Sequence, residues 1–340
     1  MTGTGQAGRP GPASSAGPAR PGARLADVAL DATVAGGFSR IGLAVRSRLL
    51  PEFAGPAAPV PPGRLALVTG ATSGLGRSAA AALAGQGMSV HFLARDGAKA
   101  GRVQRLLRAG AAPQAAVSYG LADVEDLASV RAFAAEFLAR HDRLDVLIHN
   151  AGAMHQDYAD SPSGTERTVT GHVLAPFLLT RLLLPALATA APSRVITVSS
   201  GGMYAQRLDT GTLVLSPAEF NGLTAYARAK RAQVVLSREW ARRTAGRGVA
   251  FHAMHPGWAD TPGVQSSLPR FRAVLGPLLR TPEQGADTIV WLATAPASQL
   301  GSGQFWHDRR PRPEYWLPWT REPAGAAAAL WDWAGLHTAG

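Results

Sequence analysis

Six short apolar runs, separated by longer segments with a helical pattern, are the feature that most limits what this chain can fold into. Each run is continuous in apolar residues, which is typical of strands buried on both faces of a sheet. The segments between them are long enough to be crossover helices. The sequence therefore predicts an α/β fold with a doubly wound parallel sheet, and its first six strands are expected at 65–68, 90–93, 115–118, 146–148, 195–198 and 249–253.

The predicted sheet belongs to one domain, residues 63–310, with an extension at each end. Residues 1–24 are rich in Gly, Pro, Ala and Ser, contain no acid and lack the apolar core of a secretory signal, so a disordered tail is expected. Residues 311–340 follow a final strand and predict an aromatic C-terminal extension with a short Ala-rich helix.

A basic amphipathic helix and a Pro-rich linker are predicted for residues 25–62. Such a helix could lie on an anionic membrane or dock against the domain. Gly36, Gly37 and Gly42 weaken an isolated helix, so docking is favoured and peripheral membrane contact is the alternative. The apolar positions, spaced by three and four with arginines between them, are Val34, Phe38, Ile41, Val45 and Leu49.

The composition excludes several classes of protein. The chain has no cysteine, which removes disulfides, thiolate metal sites and cysteine nucleophiles, and no metal site is expected. The net charge of +11 comes from arginines spread along the chain, so no nucleic-acid partner is expected. The nearest candidate for a membrane span, 173–191, contains Pro176, Arg181 and Pro185 and indicates a buried or broken helix. A bacterial cytoplasmic setting is the resulting expectation.

A Gly-rich turn between the first strand and an Ala-rich helix indicates a dinucleotide site. The turn reads Thr-Gly-Ala-Thr-Ser-Gly-Leu-Gly. Gly70 permits the tight turn, Gly74 lets the backbone approach a pyrophosphate, and Gly76 lets helix and strand pack closely. The motif is weak alone, but the strand before it and the helix after it supply the context that a flexible loop lacks. The residues predicted to bind the cofactor here are Gly70, Ser73, Gly74, Leu75 and Gly76.

The residue after the second strand bears on which dinucleotide binds. Enzymes that use NAD commonly carry an acid there for the ribose 2′-hydroxyl. This chain has Ala94 followed by Arg95, and a guanidinium can hold a 2′-phosphate. The sequence therefore favours NADP(H), with NAD(H) as the alternative if Arg95 is only a solvated surface residue.

A tyrosine and a lysine one helical turn apart are the candidates for proton transfer. Tyr226 and Lys230 are spaced i, i+4 in a helical segment, 224–240, so both emerge on one face. A phenol is a poor base at neutral pH, and the neighbouring ammonium is expected to lower its pKa by stabilising the phenolate. The chain has only one other lysine, Lys99, so a chance pairing is less plausible.

Two serines end the fifth strand, at the edge where open α/β sheets bind ligands. The hydroxyl of Ser199 or Ser200 could polarise a substrate carbonyl there. No Gly-x-Ser-x-Gly elbow surrounds them and no acid–histidine pair is placed for a triad, so serine-hydrolase chemistry is the weaker explanation.

The order and spacing of five motifs resemble the short-chain dehydrogenase/reductase family, whose members have the Rossmann fold. The resemblance covers about residues 60–310. Segments 195–203, 254–264 and 284–288 resemble one subgroup of the family more narrowly. The five motifs are the Gly-rich turn, Asn150-Ala151-Gly152, Ser199-Ser200, Tyr226 with Lys230, and Pro256-Gly257 followed by Thr261.

The resemblance implies an oxidoreductase that interconverts a carbonyl and an alcohol by a Ser-Tyr-Lys mechanism. In that mechanism Ser200 holds the substrate oxygen, Tyr226 donates or accepts its proton, and Lys230 also contacts the cofactor ribose. Thr261 is expected at the nicotinamide end of the cofactor and Asn150 to Gly152 beside its adenosine half. The further cofactor residues implied are Asn150, Ala151, Gly152, Pro256, Gly257 and Thr261.

The chain departs from the family pattern at two positions. His172 stands where the family usually has an Asn that helps hold a water beside the lysine. Part of that role can be met by the backbone carbonyl, and the imidazole could either join the proton relay or take no part in the chemistry. Gly120 and Leu121 stand where an Asp commonly contacts the adenine, so Leu121 is the predicted contact and weaker cofactor binding is expected.

Two other functions stay open. The fold could serve a non-catalytic NADP(H)-binding redox sensor, although a sensor does not need Ser200, Tyr226 and Lys230 together. The N-terminal basic helix could instead make the chain a membrane-surface scaffold.

The substrate class is predicted from apolar residues near the motifs. Met203, Tyr204 and Trp258, with the aromatic C-terminal segment, indicate a pocket for a small apolar alcohol, ketone or aldehyde. A homo-oligomer is a further option, because the helix that bears Tyr226 commonly forms a subunit interface in this family.

Overall fold

The computed structural model of the chain describes residues 22–53 and 60–339. Its centre is an eight-stranded sheet with the strands β1 Leu65–Thr69, β2 Ser89–Ala94, β3 Val117–Leu121, β4 Val146–His149, β5 Ser193–Val198, β6 Val249–Met254, β7 Gln304–His307 and β8 Arg310–Pro311. Their order is β3-β2-β1-β4-β5-β6-β7-β8. Neighbours are parallel except for the antiparallel pair of β7 and β8. The predicted doubly wound sheet is confirmed.

Helices cover both faces of the sheet, as right-handed crossovers require. They are α1 Ala23–Asp31, α2 Val34–Phe38, α3 Arg40–Leu49, α4 Gly74–Gly85, α5 Gly97–Ala109, α6 Leu127–Arg140, α7 Arg167–Val169, α8 Ala175–Thr189, α9 Gly222–Arg243, α10 Pro262–Ser267, α11 Pro269–Leu275, α12 Pro282–Thr294 and α13 Ala326–His337. Helices α4, α5 and α12 bury apolar residues on one face, and α6, α8, α9 and α13 do so on the other.

The six strands expected from the apolar runs are all present, and most extend by a residue or two. The third is the exception, because it begins at Val117 rather than at Ala115 and continues to Leu121. Helix α9 is longer than the predicted segment at both ends, since Asn221 caps it by accepting a hydrogen bond from the Thr224 N–H. Because strands β1 to β7 are parallel, their carboxyl ends lie at one edge of the sheet, and the motifs lie at that edge.

Helices α7 and α8 are continuous through a π-helical turn, Thr170–Leu174. The combined helix, Arg167–Thr189, is long and apolar enough to cross a membrane, but 67% of its most apolar window is buried inside the protein. It is the buried helix that the sequence indicated as one of two options. Pro185 lies within it without ending it.

The N-terminal segment is helical, as expected, but it forms three short helices instead of a single one. Helix α1 begins inside the stretch predicted to be a tail, while residues 1–21 lie outside the described residues, as do residues 54–59 of the predicted linker. Helices α2 and α3 are separated at Ser39, which has extended backbone angles and whose side chain accepts from the Gly42 N–H. The break turns Phe38 into the protein and leaves Ile41 exposed.

Buried charges dock this segment on the domain. The guanidinium of Arg46 is 1% exposed and lies 2.7 Å from a carboxylate oxygen of Asp27 and 2.7 Å from one of Asp308. Asp308 also pairs with Arg280, at 2.6 Å. We call these residues, with Asp31 and Arg312, the Arg46 network. It joins α1 and α3 to the turn between β7 and β8, so the N-terminal helices are fixed to the C-terminal half of the sheet.

The C-terminal extension lies on α9 and on the loop after β5. Trp316 stacks on Tyr204 with ring centroids 4.0 Å apart. Trp331 packs edge-on against Trp240 of α9, at 4.6 Å, and against Phe177 of α8, at 5.0 Å. Part of α9, the helix that is the candidate subunit interface, is therefore covered by α13 of the same chain.

Candidate active site

The Gly-rich turn joins β1 to α4 at the carboxyl edge of the sheet. Gly70 and Gly74 have φ values of 69° and 53°, in the left-handed region. A Cβ on Gly76 would lie 2.4 Å from Asn150 Nδ2 and 2.5 Å from the Gly70 carbonyl oxygen, so a side chain does not fit there. This geometry agrees with a tight turn and close helix–strand packing.

Asn150 and Ala151 brace the turn from the end of β4. Asn150 Nδ2 donates to the carbonyl oxygens of Thr69 and Gly70, at 3.1 and 3.2 Å. The backbone N–H groups of Asn150 and Ala151 both donate to Thr69 Oγ1 at 3.0 Å. These hydrogen bonds from the end of β4 fix the conformation of the turn.

The start of α4 can take an anionic group. Ser73 is the N-cap residue, but its side chain makes no capping hydrogen bond, and the first turn of the helix holds no acid. The first N–H groups therefore keep their donors without a capping side chain, and the helix dipole adds partial positive charge. The side chain of Leu75 packs close to Gly285 of α12, so the donor that Leu75 offers to an anion is its backbone N–H. The donor set fits the pyrophosphate of a dinucleotide.

The residues expected at the adenosine end follow β2 and end β3. Arg95 comes directly after β2 and is exposed. The adjacent carboxylate, Asp96, caps α5 by accepting from the Lys99 N–H at 2.9 Å. Leu121 is 50% exposed at the end of β3.

Gly120 is closely packed against α6. A Cβ at this position would lie 2.6 Å from the ring of Phe133. Any side chain at residue 120 would need that ring to move.

Ser200, Tyr226 and Lys230 come together where β5 meets α9. The hydroxyl of Ser200 faces the phenol of Tyr226 closely enough to lower its pKa. The ammonium nitrogen of Lys230 lies 5.3 Å from the centroid of the Tyr226 ring and donates to the Val198 carbonyl oxygen at 2.8 Å. A hydroxyl, a phenol and an ammonium thus share one corner of the sheet, in which Lys230 is buried and the other two residues are partly exposed.

Burial decides the protonation of this group. It raises the pKa of Tyr226, and the neighbouring hydroxyl of Ser200 lowers that pKa only in part, so the phenol is protonated at neutral pH. Burial also lowers the pKa of Lys230 to about 7. That Lys230 stabilises the phenolate of Tyr226 stays a prediction.

The two serines have different surroundings. Ser199 is buried, and its Oγ donates to the Lys230 carbonyl oxygen at 2.9 Å. That hydrogen bond ties β5 to α9 and uses the hydroxyl proton. Of the two, Ser200 is the serine whose hydroxyl faces Tyr226.

His172 lies in the π-helical turn, buried against Tyr226. The two rings meet edge to face with centroids 5.3 Å apart. His172 Nε2 contacts the Ala153 carbonyl oxygen at 2.9 Å, so this nitrogen carries the proton, and Nδ1 is an acceptor without a partner among the described residues. Burial lowers the pKa of His172 to about 3, and the ring is neutral.

Gly152 is matched to His172. It has a φ of 158°, and a Cβ on it would lie 2.0 Å from the imidazole. The site therefore holds an imidazole at residue 172 only with a glycine at residue 152.

Gln233 is a member of this site that the sequence analysis missed. It is buried on α9, and its Nε2 donates to the His172 carbonyl oxygen at 2.8 Å. The backbone carbonyl of residue 172, to which the family resemblance gives part in a proton relay, therefore already accepts a hydrogen bond from a side chain. Its i, i+3 spacing from Lys230 was an available signal, because it places both on one side of α9.

The segment after β6 comes close to the Gly-rich turn. A Cβ on Gly74 would lie 3.3 Å from Thr261 Cβ, so Thr261 borders the turn. Gly257 has a φ of 77°, and a Cβ there would lie 2.4 Å from Arg280 Nε. Arg280 also donates to the Pro256 carbonyl oxygen at 3.2 Å. Arg280 had no signal in the sequence, because its partners are distant along the chain.

Met203 and Tyr204 do not line an open pocket, which corrects the expectation from the sequence. Both are buried in a cluster with Phe38 and Phe305, beneath the loop after β5. Trp258 is only half-buried and packs edge-on against Phe271 of α11, at 5.3 Å. Besides Tyr226, aromatic residues that are partly exposed in the segments after β4, before α9 and after β6 include Tyr158, Phe220, Trp258 and Phe271.

A groove of about 540 Å³ lies at the opposite edge of the sheet, beside the first residues of β5 and β6. Its lining includes Ser193 and Arg194 and none of the predicted site residues. Within the ranges that the structure covers, His, Asp and Glu side chains form no group of three that could hold a metal ion.

The fold and the site define a dinucleotide-binding α/β protein in which a serine, a tyrosine and a lysine meet at the carboxyl edge of the sheet. The profile of the family described as short chain dehydrogenase matches residues 64–270. The chain belongs to the short-chain dehydrogenase/reductase family. It is an oxidoreductase that acts on CH–OH groups.

Similar proteins cover most of the chain. It is 41% identical over 268 residues to dehydrogenase/reductase SDR family member 12 of Bos taurus, a match that spans 78% of this chain and 83% of that protein. This relative represents the subgroup that segments 195–203, 254–264 and 284–288 resemble, so the narrower prediction is confirmed. Retinol dehydrogenase 14 of Mus musculus is 36% identical over 285 residues, spanning 79% of this chain and 84% of that protein.

A solved structure supports the same fold. The Pseudomonas aeruginosa RhlG/NADP active-site complex superposes with a TM-score of 0.59 at 25% identity. The superposition covers 72% of this chain and 94% of that chain.

Proposed function

We propose that the chain interconverts a carbonyl and an alcohol on a small apolar substrate, using NADP(H) and the side chains of Ser200, Tyr226 and Lys230. The observation that carries the proposal is the meeting of these three groups, with the hydroxyl of Ser200 facing the phenol and the ammonium 5.3 Å from its ring. A redox sensor needs the Gly-rich turn but has no use for this set.

Each side chain has a role that its surroundings support. Ser200 holds the substrate oxygen beside Tyr226, because its hydroxyl faces the phenol. A phenol that burial keeps protonated can give its proton to a carbonyl oxygen as that oxygen gains charge. Lys230 then stabilises the phenolate that remains. When bound, the nicotinamide supplies or accepts the hydride.

Three features support NADP(H) as the cofactor. Arg95 is exposed directly after β2. The carboxylate of Asp96 caps α5 by accepting from the Lys99 N–H. The solved relative RhlG is a complex with NADP. In this proposal Gly70, Ser73, Gly74, Leu75 and Gly76 hold the pyrophosphate.

The rest of the cofactor contacts are assigned by position. Leu121 lies at the adenosine end, and Thr261 lies beside the Gly-rich turn at the nicotinamide end. The supporting residues are Asn150 and Ala151, which brace the Gly-rich turn, and Gly152, which leaves room for the ring of His172. Pro256 and Gly257 shape the loop after β6.

The proposed substrate is apolar because aromatic rings surround the open edge of the site. Tyr158 packs edge-on against Phe220, at 5.7 Å, just before the helix of Tyr226. Trp258 and Phe271 pack edge-on in the segment after β6, which borders the Gly-rich turn through Thr261. A relative named retinol dehydrogenase acts on a substrate of this class.

The test is a titration with NADPH and NADH, followed by absorbance at the reduced-nicotinamide band over a panel of apolar ketones and aldehydes. We expect NADPH to bind more tightly and to be oxidised with at least one carbonyl. The variant Tyr226→Phe should lose turnover and keep NADPH binding, whereas Tyr119→Phe, on β3, should keep both. Activity in Tyr226→Phe would reject the mechanism, and binding without turnover over a broad panel would favour the sensor.

A further inference from the structure

Exposed apolar side chains are concentrated in the N-terminal helices. Of the twelve large apolar side chains exposed in the described residues, four lie between Leu25 and Ile41. Single exposed apolar residues are normal on a protein surface, but this short segment holds a third of them. They are Leu25 at 78%, Val28 at 66%, Val34 at 46% and Ile41 at 53% exposure.

The exposed residues lie on the outer sides of α1 and α3. In α1 the buried side carries Ala23 and Asp27, and Leu25 and Val28 are on the opposite side of the helix. In α3 the buried side carries Arg46, and Ile41 points away from it. The buried sides of both helices meet in the Arg46 network, so the exposed residues lie on the outer sides of the two helices. We call the exposed residues of these helices, with Val34, the N-terminal outer face.

The charge on this face has one sign. Arg24, Arg40 and Arg48 are exposed, and none of them forms an ion pair within the described part of the chain. The acids of α1, Asp27 and Asp31, are directed inward to the Arg46 network. The face therefore presents apolar side chains among arginines and without exposed carboxylates on α1 and α3.

We propose that the N-terminal outer face docks the protein on an anionic phospholipid bilayer. Separate apolar side chains on the outside of short helices, flanked by cations, suit insertion among lipid headgroups, where apolar burial and attraction to anionic lipid act together. A peptide partner would need a groove, and these outer sides are the convex sides of helices. The inference does not depend on the proposed reaction, because none of these residues belongs to the catalytic set.

The test is flotation of the full chain with vesicles of neutral phosphatidylcholine, or of phosphatidylcholine mixed with phosphatidylglycerol. We expect binding to the anionic vesicles only, falling as salt rises. The triple variant Arg24→Gln, Arg40→Gln, Arg48→Gln should weaken the binding about a hundredfold, since each arginine near an anionic surface contributes about 1 kcal/mol. The triple variant Leu25→Ser, Val28→Ser, Ile41→Ser should weaken it at least about tenfold.

Helix α5 supplies matched control variants, because it also exposes arginines and a leucine. Arg102→Gln with Arg105→Gln, and Leu106→Ser, should leave binding unchanged. Retained NADPH binding and an unchanged melting temperature show that each variant is folded. Absence of wild-type binding to anionic vesicles, or equal loss in the α5 variants, overturns the proposal. A dimer in solution that the α1 and α3 apolar variants abolish, without vesicle binding, would assign the face to a second copy of the chain and also overturn it.

Discussion

Gln233 of α9 donates a hydrogen bond to the backbone carbonyl oxygen of His172 over 2.8 Å. The acceptor lies in a π-helical turn, where the regular i→i−4 ladder is interrupted and carbonyl groups need other partners. The bond therefore links the helix that carries Lys230 to the turn that presents an imidazole to Tyr226. We regard Gln233 as a positioning residue for the site.

Substituting Gln233 by leucine should lower kcat about tenfold and leave NADPH binding near the wild-type value. The buried carbonyl loses its donor, and an unsatisfied group of this kind costs about 1–3 kcal/mol. The pH profile of kcat should also shift, because the neighbourhood of Lys230 changes. The control is Gln104→Leu, since Gln104 also donates to a backbone carbonyl, that of Val117 at 2.9 Å, but lies on α5. Equal effects in both variants, or an unchanged pH profile, would assign Gln233 a structural role only.

Arg95→Gln should raise the Kd of NADPH about tenfold or more and change that of NADH little. Hydrogen bonds to charged groups contribute about 1.5–3 kcal/mol, and only NADPH carries the 2′-phosphate that the guanidinium would contact. Equilibrium fluorescence titration with the two cofactors measures the difference. The matched control is Arg102→Gln on α5, which should bind both as the wild type does. An equal loss for NADH and NADPH would contradict the assigned contact.

Features governed by neighbours along the chain were predictable from the sequence. The strands follow from continuous apolar runs, and the Gly-rich turn from its place between β1 and α4. The common face of Tyr226 and Lys230 follows from the helical period. Each of these depends on residues within one or two elements.

Features governed by distant contacts were not predictable. The break at Ser39 turns Phe38 into a cluster with Met203 and Tyr204, so two residues expected in the pocket are buried. The pKa of Tyr226 depends on how deeply α9 is covered, and spacing from Lys230 does not report that. A sequence pattern indicates whether a segment is a helix or a strand, but it does not show which distant residues pack over that segment in the folded protein.

Asp308→Asn should lower the free energy of unfolding by about 3–5 kcal/mol. The side chain is buried between Arg46 and Arg280, and removing its charge leaves two buried guanidinium groups without that carboxylate. Urea unfolding of the full chain measures the change. Asp260→Asn is the control, because Asp260 pairs with Arg272 at a partly exposed site and its loss should cost less than about 1 kcal/mol. Similar losses in the two variants would show that the Arg46 network does not hold the N-terminal helices.

Stability should fall as the pH drops from neutral toward 4, because several histidines are buried in the neutral form. Burial lowers the pKa of His149, His172 and His252 to about 3 each. An unfolded chain binds protons on these rings below its ordinary pKa of about 6.5, while the folded chain does not, so the folded state loses stability through that window.

Between pH 7.5 and pH 5 each such ring should cost up to roughly 2 kcal/mol. From pH 7.5 to pH 8.5 stability should rise by about 1 kcal/mol, because burial lowers the pKa of Lys230 to about 7, so the folded chain leaves this amine largely unprotonated while the unfolded chain keeps its proton. Urea midpoints at the three pH values measure this dependence. His149→Gln should reduce the loss on acidification, since His149 lies beneath the site against Thr180, at 2.7 Å, and outside the catalytic set. A stability that is the same at pH 5 and pH 7.5 would mean that these rings are accessible to protons in the folded state, and the neutral imidazole assigned to His172 would then have to be abandoned.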